Sequence, residues 1–124
     1  MNKHIFVIDD DVEILEVIKI LLVEKGYRVT LISETNNIFE AVAKDIPDLI
    51  LLDIWMSGMD GIEIASTLKS KEQLKGVPIV MISANNEGER LAKEAKVDDF
   101  LPKPFDIDDI LKIVEKHASS QTPA

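Results

Sequence analysis

The sequence predicts an α/β fold: a parallel sheet with helices on both faces. Short apolar runs alternate with amphipathic helical stretches from one end of the chain to the other, the pattern of repeated βα units. The run "LILL" (Leu49–Leu52) is apolar at every position, as expected of a central strand covered on both sides.

Taken in order, Ile5–Ile8 is the first strand. Val12, Leu15, Ile18 and Leu22 then recur at helical spacing, with Glu13, Glu16, Lys19 and Glu24 on the wetter side. Gly26 supplies the left-handed residue on which a helix commonly ends. Val29–Ile32 is a second strand, and Thr35–Lys44 a helix stopped before Pro47. After the third strand, Leu49–Leu52, a loop leads to a helix over Gly61–Ser70. Pro78 opens the fourth strand, "IVMIS" (Ile79–Ser83). A helix over Glu87–Ala95, a short fifth strand Asp99–Leu101 and a last helix Ile107–His117 complete five βα units, and "SSQTPA" is a frayed tail.

The 124 residues suit one domain, and 46% hydrophobic content is enough for a packed core. No apolar run reaches the length of a membrane span, and the N-terminus lacks a signal-peptide core. Cysteine is absent, which excludes disulfides and thiol chemistry and agrees with a cytoplasmic protein. A net charge of −9 opposes binding to nucleic acid and to anionic membranes, so the expected partners are proteins or small cations.

Right-handed crossovers put the C-terminal ends of all the strands on one edge, where such sheets bind ligands. Asp9, Asp10 and Asp11 follow the first strand, Asp53 the third, Ser83 ends the fourth and Lys103 follows the fifth. Like charges about 4 Å apart repel by roughly 4 kcal/mol near a protein surface, so the acids call for a cation. Oxygen-only ligands suit Mg²⁺. Asp53 is a candidate nucleophile, because carboxylates form aspartyl-phosphates. Lys103 and Ser83 are the residue types that would steady the incoming phosphoryl oxygens.

Four stretches carry a resemblance: "IDDD" after the first strand, "LLDIWMSGMDG" around Asp53, "ISA" ending the fourth strand and "DDFLPKPF" around Lys103. Together they resemble a response-regulator receiver domain of two-component signalling, of the stand-alone type. The resemblance implies a flavodoxin-like (βα)5 fold with strand order 2-1-3-4-5. It implies a receiver domain over residues 1–118 and a flexible tail over 119–124. It also implies phosphorylation of Asp53 by a histidine kinase or histidine phosphotransfer protein, with slow self-dephosphorylation. Mg²⁺ would be held by Asp10, Asp53 and the main-chain carbonyl of Trp55, with Asp9 acting through the metal's waters. Ser83 and Lys103 would contact the phosphoryl group, and Phe100 matches the aromatic switch position. The Lys103–Pro104 bond is typically cis in this family.

The sequence departs from the family pattern at Ser57, where proline is usual, and at Trp55, which is bulkier than usual and suited to shielding an acyl phosphate. Lys96-Val97 replaces the usual Gly-Ala, which removes the easy left-handed residue from that helix end. The interval from Ser83 to Lys103 is also short.

Several residues have plainer readings. Asp11 fits a helix N-cap better than a ligand. Asp60-Gly61 is a turn signal, and Phe100 divides evenly between core and switch. His4 and His117 show no partner pattern, although His117 suits the C-terminal end of a helix dipole.

Among functions, the leading expectation is a phosphorylatable receiver whose output runs through an unidentified downstream protein. The alternative is a receiver-like module that binds partners without phosphorylation, against which the intact set Asp9, Asp10, Asp53, Ser83 and Lys103 argues. A flavin carrier would need a phosphate-binding loop where "DDDVE" stands. An aspartyl-phosphate phosphatase would need a general acid at the position of Trp55.

Overall fold

The computed structural model describes residues 3–33, 38–53, 61–83, 90, 93–94, 96–103 and 105–119. Its elements run β1 (His4–Ile8), α1 (Val12–Glu24), β2 (Arg28–Ile32), α2 (Ile38–Lys44), β3 (Leu49–Asp53) and α3 (Gly61–Ser70). A 3-10 turn (Glu72–Leu74) precedes β4 (Ile79–Ser83), β5 (Asp99–Pro102) and α4 (Ile107–Ser119). Residues 90, 93 and 94 are helical, and the rest of the helix expected over 87–95 lies outside the described residues.

The five strands form one sheet in the order β2-β1-β3-β4-β5, and every neighbouring pair is parallel. This is the flavodoxin-like order that the resemblance implied. β1 and β3 are buried at every position, because each has a strand on both sides and helices above and below.

The period-2 alternation of side chains divides the core in two. Phe6, Ile8, Ile50, Leu52, Ile79 and Met81 pack with Ile38 and Val42 of α2 and Ala65 and Leu68 of α3. Ile5, Val7, Leu49, Leu51, Val80 and Ile82 face the other way, toward Leu15, Ile18 and Leu22 of α1 and Ile110, Val114 and Ala118 of α4. Each strand thus contributes to both layers.

α1 begins and ends as its sequence dictates. The Asp11 carboxylate caps it, accepting from the N–H groups of Glu13 at 3.1 Å and Ile14 at 3.3 Å. At the other end Gly26 takes φ +95°, its N–H donates to Val23 O, and the Tyr27 N–H donates to Leu22 O. Glycine meets that conformation without strain.

The structure corrects some expectations. Val12 is 59% exposed rather than core-facing, because only Leu15, Ile18 and Leu22 of the helical series point at the sheet. Strands β1 and β2 each start one residue early, β3 and β5 each run one residue further, and α4 continues to Ser119. Beyond Ser119 the expected tail lies outside the described residues. The 3-10 turn was not foreseen; it seats Leu74 in the core.

Candidate functional site

Asp9 follows β1 directly and is fully buried, while Asp53 ends β3 and is 3% exposed. Asp10 lies on the solvent side of the pair. One carboxylate oxygen from each of the three falls within 4.8 Å of the others. Lys103, just past β5, brings its Nζ to 3.5 Å from Asp53 Oδ2 and remains partly exposed. The strand order places these groups together: β1 and β3 are neighbours, and β4 alone separates β3 from β5.

The backbone orients Asp9 closely. Its N–H donates to Ile32 O of β2 at 3.1 Å. Its Oδ1 accepts from the Asp11 N–H at 2.9 Å, while its buried Oδ2 has no hydrogen-bond partner among the described residues. Burial pushes the Asp9 carboxyl up to about 6. The Asp11 N–H and Lys103 pull it down, whereas the charge of Asp53, to which a protonated Asp9 can donate, pushes it further up.

This donor set fits a hard divalent cation. It consists of carboxylate oxygens alone, and a buried anionic oxygen without a partner is costly unless something positive meets it.

A family model described as "Response regulator receiver domain" matches residues 5–115. The chain belongs to this family. Among curated relatives of this receiver, the DNA-binding response regulator MtrA of Mycobacterium tuberculosis is 36% identical over 107 residues, which is 85% of this chain and 46% of MtrA. The DNA-binding transcriptional regulator NtrC of Salmonella typhimurium is 32% identical over 93% of this chain and 24% of its own length. The receiver therefore spans about half, or less, of the curated relatives it matches. Among solved structures, the receiver domain of NtrX from Brucella abortus superposes with a TM-score of 0.83 at 28% identity, over 94% of this chain and 98% of that one. A CheY-like receiver domain protein from Methanospirillum hungatei reaches a TM-score of 0.87 at 24% identity, covering 98% and 97% of the two chains, and shows the shared fold.

The other expected site residues divide in three. Ser83 is the last residue of β4, paired with Pro102 of β5 and one place beyond Ile82, the partner of Asp53; its side chain lies outside the described residues. Trp55, Ser57 and Pro104 lie outside them altogether. Phe100 is half-buried and packs against the core layer of α2 and α3.

Both histidines expected to stand alone have partners. His4 is buried, with Nε2 at 2.7 Å from Thr30 Oγ1 and Nδ1 at 3.2 Å from Asp45 Oδ2, the latter outside hydrogen-bond geometry. His117 Nε2 lies 2.8 Å from Asp99 Oδ2 and ties α4 to β5. These partners are distant in the chain, so no local pattern announces them.

A groove of about 610 Å³ flanks the site between α1 and α4. Ile14, Val17, Leu21, Lys103 and Phe105 are among the residues that line it.

Proposed function

We propose that this receiver takes a phosphoryl group on Asp53 from a phosphohistidine of a histidine kinase or histidine phosphotransfer protein. The observation that carries the reading is the buried Asp53 carboxylate, paired with Lys103 at 3.5 Å beside the Asp9–Asp10 pair. A carboxylate oxygen of Asp53 attacks phosphorus in line, the P–N bond breaks, and its electrons return to the donor imidazole, which takes up a proton. The product is an acyl phosphate on Asp53.

Asp10 and Asp53 would hold Mg²⁺, together with the main-chain carbonyl of Trp55, with Asp9 acting through the metal's waters. When bound, the ion supplies compensation for negative charge on the phosphoryl oxygens. Lys103 provides a positive charge beside the Asp53 carboxylate, and the Ser83 hydroxyl is the candidate hydrogen-bond donor. Ser83 and Phe100 form the switch: the hydroxyl draws toward the phosphoryl group, β4 and β5 shift, and the Phe100 ring turns inward. Phosphorylation can bias these two arrangements only by its different interaction with each.

Output then passes to a downstream protein by contact, in the cytoplasm, without direct nucleic-acid or membrane binding. No helix among the described residues is long and apolar enough to cross a membrane. The acyl phosphate is lost by slow self-dephosphorylation.

The test is chemical trapping. Borohydride reduction after phosphorylation converts an aspartyl-phosphate to homoserine, and peptide mapping finds it at position 53 alone. Homoserine at Asp9 or Asp10 instead would move the phosphoacceptor.

A further inference from the structure

The Asp9 carboxylate has one oxygen fixed and one without a hydrogen-bond partner among the described residues, and what fixes the first is the N–H of Asp11. Any residue offers an N–H, but its direction depends on the backbone at that residue. Asp11 has φ −89° and ψ 101°, the extended geometry of an N-cap, held by its own carboxylate bonding to the N–H groups of Glu13 and Ile14. The exposed side chain of Asp11 thus anchors the first turn of α1, and the same residue's main chain turns back onto the buried acid. From this chain of contacts we infer that Asp11 is a positioning residue for the cation site: its cap holds the N–H that fixes the orientation of the Asp9 carboxylate beside Asp10 and Asp53.

This rests on the metal reading above. Asp11 supplies no ligand atom to the acidic group, which consists of Asp9, Asp10 and Asp53. Its contribution is orientation, as with the outer partners that fix metal-binding side chains elsewhere. A bare charge effect is the competing cause, since a carboxylate near a cation attracts it whatever it caps. The two separate cleanly, because asparagine and serine cap a helix without charge, whereas alanine does neither.

The experiment is calorimetric titration of Mg²⁺ into the wild-type chain and into Asp11→Ala, Asp11→Asn and Asp11→Ser, below the unfolding temperature of each. Asp11→Ala is expected to bind Mg²⁺ about tenfold more weakly, the lower end for loss of an orienting partner. Asp11→Asn and Asp11→Ser are expected to stay within about threefold of wild type, because an exposed charge acts on the site through high-dielectric solvent. Unchanged affinity in Asp11→Ala overturns the inference. Equal weakening in all three variants also overturns it, and assigns the effect to charge. A wild-type chain that binds no Mg²⁺ overturns the metal reading itself, and the inference with it.

Discussion

At the residue scale, Lys103 and Lys96 illustrate two different demands on a lysine. Lys103 is held beside Asp53 by the short path from the end of β5, in a partly exposed position. Lys103→Ala should slow phosphorylation of Asp53 about a hundredfold, the loss typical of one preorganised electrostatic partner; quenched-flow labelling with a small phosphodonor measures it. Lys96 has no such duty and takes φ +59°. It adopts the left-handed conformation that the sequence had made look unavailable at that position. A side chain there costs about 1 kcal/mol, so Lys96→Gly should raise the urea-unfolding free energy by up to that amount. The pattern at Lys96-Val97 pointed away from a left-handed residue, and the backbone adopts one there all the same, because chain geometry overrides residue preference.

At the element scale, the two histidines join segments that the sequence gives no reason to pair. His4 links β1 to β2 through Thr30 and faces Asp45 beyond α2, while its own N–H donates to Asp48. Burial lowers its pKa below the ordinary 6.5; Arg28 lowers it further, and Asp45 and Asp48 oppose the shift. The unfolded chain therefore binds the proton first. The stability that His4 contributes is present above pH 6.5 and declines as pH falls through the folded value. Asp9, raised to about 6, acts with the opposite sign between its ordinary 3.8 and that value, so the comparison must be made between variants. Urea midpoints between pH 7 and 5 should fall more steeply for wild type than for His4→Gln; parallel curves would contradict the assignment.

His117 clamps α4 to Asp99 of β5. Burial raises the Asp99 carboxyl, but hydrogen bonds from His117 and the Phe100 N–H, with the charges of His117 and Lys116, outweigh it and leave the pKa lowered. His117→Ala should cost about 1.5 kcal/mol, the lower end for a hydrogen bond to a charged group. The Asp99 contribution persists above pH 3.8 and fades as pH falls through the lowered value. The described strands and the helices α1, α2, α3 and α4 were readable from spacing, caps and Gly26. The histidine contacts were not, since Thr30 lies 26 positions from His4 and Asp99 lies 18 from His117.

At the scale of the whole molecule, the parallel sheet is what brings separate acids together. Asp9, Asp10, Asp53 and Lys103 were legible as strand-end residues, and the order β2-β1-β3-β4-β5 brings them to one edge. The burial of Asp9 and its unpartnered oxygen were not legible, because they depend on β2 and α1 closing over the end of β1. The measurement that tests the phosphoacceptor assignment most directly is the intact mass of the protein after incubation with a small phosphodonor and Mg²⁺, beside Asp53→Asn and an EDTA control. The account predicts a gain of one phosphoryl group in the wild type alone, abolished by EDTA. No gain under any condition, or the same gain in Asp53→Asn, would contradict it.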